Sequence, residues 1–136
     1  MMQLLTVIRQ VLIDDPAVVN AAPEGTYIRR APQNSAHRSL VVSFLTGSDD
    51  WTQKGPMNFH EGIIRVACRT KHGDNEGEDA LTRAVFDRLQ NFSSDTQIHD
   101  VIVDRIFHRN THDGGSDDKS EIQRTFLDFE VRYRRV

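Results

Sequence analysis

Apolar positions Leu4, Leu5, Ile8, Val11 and Leu12 recur at helical spacing over residues 3–13. Asp14-Asp15-Pro16 closes this amphipathic helix, because proline disfavours α geometry in the residue before it. A turn-rich connector is expected over 17–25, then a short strand at Tyr27-Ile28-Arg29-Arg30 closed by Pro32, and a loop over 32–38. The run SLVVSFLT at 39–46 is β-branched and aromatic enough to lie in the middle of a sheet. A polar connection around Trp51, at 47–58, should lead into a second strand at 59–71 and make a long-looped hairpin.

Beyond Gly73, the residues Leu81, Ala84, Val85, Leu89 and Phe92 line one face of a helix, with Asp79, Arg83, Asp87 and Gln90 on the other. Asp74 or Asn75 can cap it, and Glu76 and Glu78 suit the positive end of its dipole. A strand is predicted over 98–109, with Val101, Val103 and Phe107 on one side and Ile102 and Ile106 on the other. The last strand, 121–135, has a period of two. Leu127, Phe129, Val131 and Tyr133 face a core, and Asp128, Glu130, Arg132 and Arg134 face away. Between these strands NTHDGGSDDKS (110–120) offers no apolar side chain and is expected to be a mobile hairpin loop. The pattern predicts one α+β domain over 1–136: a mostly antiparallel four- to five-stranded sheet with an N-terminal helix and one longer helix packed on it.

Composition narrows the function. At 136 residues the chain can bury one core, and its net charge of -3 argues against a dedicated nucleic-acid binder, which needs a basic field. Cys68 is the only cysteine, which leaves no disulfide or CxxC knuckle and suits a reducing cytosol. The N-terminal stretch lacks a signal peptide's basic leader, and no apolar run approaches the roughly 20 residues that cross a bilayer, so a soluble protein without a membrane partner is expected.

Candidate chemistry is sparse. His108, His112, Asp113, Asp117 and Asp118 are the only cluster of metal-ligand types, but their spacing matches neither a zinc motif nor an EF-hand loop. A solvated acidic hairpin end explains them more simply, and no catalytic residue, cofactor or metal ligand is assigned. His60, His72 and His99 fall in separate elements, and Cys68 sits mid-strand among apolar neighbours as a small core residue does. Paired aspartates lie at turns, where local hydrogen bonding favours them, and the glycines form no phosphate-binding frame. Two features point outward: Trp51 in its polar loop, and the alternating charges on the back of the final strand. Exposed aromatics and arginines are typical interface anchors.

Five stretches in order, LLTVIRQVLIDDPAVV, TYIRRAP, SLVVSFLTG, FHEGIIRVACRT with EDALTRAVFDRLQNF, and TFLDFEVRYR, resemble the tail-completion, or tail-terminator, family of long-tailed bacteriophages. The helix-then-DP opening and the closing alternating strand weigh most, and together the stretches span nearly the whole chain. The resemblance implies a structural virion protein that is no enzyme and has no cofactor. Its copies would form a ring, typically of six, on the head-proximal end of the tail tube, stopping tube growth and facing the head connector, while DNA passes through the lumen without specific binding. Trp51, Asp113, Asp117, Asp118, Arg132 and Arg134 are the residues expected at contacts with a neighbouring copy, the tube or the connector. The alternatives are another head-tail joining protein such as a head-completion stopper, a small metal-dependent or hydrolytic enzyme using His108, His112 and nearby aspartates, and a host-encoded adaptor.

Overall fold

The computed structural model describes residues 2–31, 38–46, 59–94, 96–117 and 122–135. In chain order the elements are α1 (Met2–Ile13), α2 (Pro16–Ala21), β1 (Thr26–Ile28), β2 (Ser39–Thr46), β3 (Phe59–Lys71), α3 (Asn75–Leu89), β4 (Val101–Asp117) and β5 (Ile122–Arg135). Five strands make one sheet in the order β1-β2-β3-β5-β4. β1 pairs parallel with β2 and every other pairing is antiparallel, which is the expected α+β architecture. Because β5 lies between β3 and β4, those two strands run the same way, and α3 carries the crossover from one to the other.

All three helices cover a single face of the sheet. Leu4, Leu5, Val7, Ile8, Val11 and Leu12 of α1 are buried, a wider stripe than the spacing of the first five apolar positions suggests. They meet Leu40, Val42, Ile64, Val66, Phe129 and Val131 from the sheet and Leu81, Val85 and Leu89 from α3 in one core. Arg88 of α3 donates from Nε to the carbonyl of Val11 at 2.8 Å, satisfying an acceptor near the end of α1.

The expected connector at 17–25 begins instead as a helix. Asp15 takes the N-cap of α2, its carboxylate accepting from the Ala17 amide at 3.0 Å, and Pro16 fills a first-turn position where no amide is needed. One Asp-Pro step thus ends α1 and starts α2. The cap of α3 is Asp74, as one of the two candidates; its carboxylate accepts from the Gly77 amide at 3.0 Å and pairs with Arg38 at 2.9 Å, tying the helix to the start of β2. Asp74→Ala should lower stability by about 1 kcal/mol in urea melts through loss of the cap, and an unchanged midpoint would contradict that role.

The largest departure from expectation is β4, which continues to Asp117 where a loop was expected over 110–120. Pairing with β5 carries it: His112 lies opposite Phe126, Asp113 opposite Thr125 and Asp117 opposite Ile122. A polar sequence suffices because β4 is an edge strand whose backbone bonds come from β5, which supplies the apolar side chains. Residues 118–121 lie outside the described residues, as do the expected loops at 32–37 and 47–58 and with them Trp51.

The pairing skips a residue on β4 three times, at Asp104, Arg109 and Gly114. Each such bulge bends the strand and reverses which parity faces the core. The first corrects the predicted faces: Ile106 joins Val101 and Val103 in the core, and Phe107 turns to the other side, half-buried. Close approach explains Gly114, where a Cβ would come within 2.7 Å of the Phe126 ring, and Gly115 follows at φ +82, a conformation open to glycine.

Candidate assembly surface

Strand alternation leaves the second face of the sheet without a helix, and that face is charged. At its centre Asp128 is 4% exposed, and its carboxylate accepts from Arg65 Nε at 2.8 Å and Nη2 at 3.2 Å. The Arg65 guanidinium also lies 4.3 Å from the centre of the Phe126 ring and 3.2 Å from His112 Nε2. Hydrogen bonding to Asp128 raises the Arg65 pKa, outweighing partial burial. A bidentate ion pair stacked on an aromatic ring is a rigid unit, which suits a surface that must present a fixed shape.

The same face continues as a ladder of ion pairs within β5 and to its neighbours β3 and β4. Arg132 approaches Glu61 at 3.4 Å and Glu130 at 3.9 Å, Arg109 approaches Glu130 at 3.5 Å, and Arg134 meets Asp104 at 2.9 Å. Arg105 and Arg132 both lie over the Phe107 ring, at 4.3 and 5.2 Å. Arg132 and Arg134, expected at contacts with a neighbouring copy, the tube or the connector, have carboxylate partners within their own sheet. Exposed pairs of this kind contribute little each, roughly 0–1 kcal/mol, and fix side-chain positions more than they stabilise.

Asp113 is exposed on the helix side, its carboxylate accepting from the Gly115 amide at 2.8 Å. Asp117 closes β4, and Asp118 lies outside the described residues along with Trp51. The structure thus places Asp113 and the arginines Arg132 and Arg134 on opposite faces.

The histidines that could have made a metal cluster are also separated. His108 packs edge-on against Phe86 and Phe129 on the helix side, its Nε2 2.6 Å from Thr111 Oγ1. His112 stands on the helix-free side beside Arg65 and Phe126. Four residues apart, they would share a face on a regular strand; the bulge at Arg109 splits them. Among the described residues no group of three or more metal-ligating side chains comes together. Cys68 is sealed in the core, where burial pushes its thiol pKa up.

Sequence reasoning missed a second feature of the helix-free face. Arg29, Arg30, Arg69 and Arg124 come from β1 and its exit, β3 and β5, and surround one groove. The signal was present in the period-two placement of Arg65 with Arg69 and of Arg124 with Phe126, but partners across a sheet cannot be read without the strand order.

No protein-family model matches the chain, and no curated protein does. Among solved structures it is similar to a chain from the virion of a native gene transfer agent particle. The two superpose with a TM-score of 0.68 over 93% of this chain and 91% of the other, at 18% sequence identity, so they share the fold.

Proposed function

We propose that the chain is a structural virion protein of the tail-terminator type, whose copies form a ring on the head-proximal end of a phage tail tube, ending tube growth and preparing the junction with the head connector. The observation that carries this reading is the fold likeness to a virion chain, which spans 93% of this chain and 91% of the other. The helices and strands behind the tail-terminator resemblance occur in the same order in the structure, with α2 added after α1.

The distribution of side chains supports the same role. Large apolar residues are spent almost entirely on one core, and among the described residues only Val19, Leu45 and Phe86 stand out as exposed large hydrophobics. Much of what remains outside is charged, and part of it is held in ion pairs within the sheet. Such a surface keeps a subunit soluble until it meets copies of itself, and lets a ring form through many modest contacts. A net charge of -3 lets duplex DNA slide through a lumen without the counterion release that would hold it.

The reading is tested by polymerising the cognate tail-tube protein with and without the purified chain. Tubes grown with it should be shorter and capped at one end by a ring, with six copies of 15.6 kDa giving about 94 kDa. Tubes of unchanged length with bare ends would contradict a terminator. A ring that binds the head connector and leaves tube growth unaffected would favour the head-completion alternative.

A further inference from the structure

The groove on the helix-free face has a volume of about 480 Å³, an apolar floor of Val41, Ala67 and Phe126, and a rim of Arg29, Arg30, Arg69 and Arg124. Arg65 also reaches it and is bonded to Asp128, and Arg69 donates from Nη1 to Ser39 Oγ at 3.3 Å. Among the described residues no carboxylate lines it. Burial lowers the Arg69 pKa, and the Arg124 charge acts in the same direction. Arg29 is held at φ 66, where a residue with a Cβ is strained, while its amide donates to the Val42 carbonyl at 2.8 Å. The fold therefore gathers cations around a concave apolar floor, an arrangement that stabilises a carboxylate-bearing partner.

The opposite face carries the matching charge. Glu76 and Asp79 are exposed on the first turns of α3, Asp79 lying 3.4 Å from Arg83, and Asp113 is exposed on β4 nearby; Thr111 lines both the hollow beside Asp79 and the cleft beside Asp113, which Arg124 also borders. We propose that the arginine groove of one copy receives this acidic helix-side surface of a second copy. The inference rests on the ring reading above and names its interface. Two different surfaces on opposite faces make a head-to-tail contact, the kind that closes into a ring when its rotation permits. A nucleic acid fits less well, because beyond the groove the same face alternates in sign through Glu61, Glu130 and Asp104, and among the described residues no basic track continues.

The test compares four chains by sedimentation at low and high salt: wild type, Arg30→Glu with Arg124→Glu, Glu76→Arg with Asp79→Arg, and all four reversals together. Each double variant should need at least tenfold more protein to assemble. The fourfold variant should recover to within about threefold of wild type, because the charges are exchanged and still complementary. Circular dichroism melts check folding, and Arg30→Gln with Arg124→Gln replaces the first pair if its melt is lowered. Rings that form equally well in both double variants would overturn the interface and leave the ring reading standing. The same holds if the arginine variants lose only retention of duplex DNA, or only binding of an acidic tube or connector protein. A wild-type chain that stays monomeric at every concentration, alone and on tubes, would overturn both.

Discussion

Replacing Phe129 by alanine is expected to destabilise the protein by about 3–5 kcal/mol, the largest effect of any single side chain on the sheet. Phe129 is fully buried at the middle of β5, opposite Ile64 on β3 and His108 on β4, with the His108 ring packed edge-on against it. Strands on both sides fix the backbone there, so the cavity cannot collapse and both the lost transfer energy and the void count. Domains of this size have about 5–15 kcal/mol in total, so the variant should be marginal at 37 °C. Phe126, three residues earlier on the other face, gives the contrast. It is half-buried under Arg65, and its alanine variant should lose only about 1 kcal/mol from the ring stacking. Urea denaturation of the two variants measures the difference, and equal losses would mean that the core does not sit on the helix side.

Removing the Asp128 carboxylate should be the next most damaging change. Asp128→Ala leaves Arg65 with two unmet donors over Phe126, and a loss of about 2–3 kcal/mol is expected. The value is placed below that for a fully buried pair because the Arg65 side chain is 23% exposed and water can reach part of it. Charge is needed here for placement more than for stability, so Arg65→Met combined with Asp128→Leu should recover most of the loss. The paired substitution should at the same time loosen Phe126 on the groove floor. A double variant no more stable than Asp128→Ala would show that the carboxylate has stabilising partners beyond Arg65 and beyond His112, whose Nδ1 lies 4.0 Å from it.

The elements that proved legible in the sequence were those whose residues carry both a period and a stop. β2 and β3 fall where β-branched runs meet polar breaks, and α3 falls between Asp74 and the residues after Leu89, because its apolar stripe and its cap agree. The missed features have one cause in common, which is that they depend on what a residue meets across space. Nothing local marks NTHDGGSD as strand; β5 makes it one by offering backbone partners from Ile122 to Asp128. The three bulges on β4 cannot be counted without the register, so Ile106 was placed on the wrong face and His108 and His112 looked closer than they are. Asp128 looked like one more solvated charge in an alternating strand. Its burial comes from Arg65, 63 residues away in the chain. Likewise the arginine groove draws on β2, β3, β5 and the exit of β1, and only the order β1-β2-β3-β5 brings Arg29, Arg69 and Arg124 to one side. The expected interface residues share this limit: Arg132 and Arg134 were legible as outward-facing, but their partners on β3 and β4 were not.

The claim that this fold serves as a particle component at the head-tail junction is tested most directly by electron microscopy of particles from a producer that lacks the chain. A terminator predicts DNA-filled heads lying apart from tails of uncontrolled length, with joining restored when the purified chain is added back during assembly. Particles with attached tails of normal length, made in its absence, would contradict it.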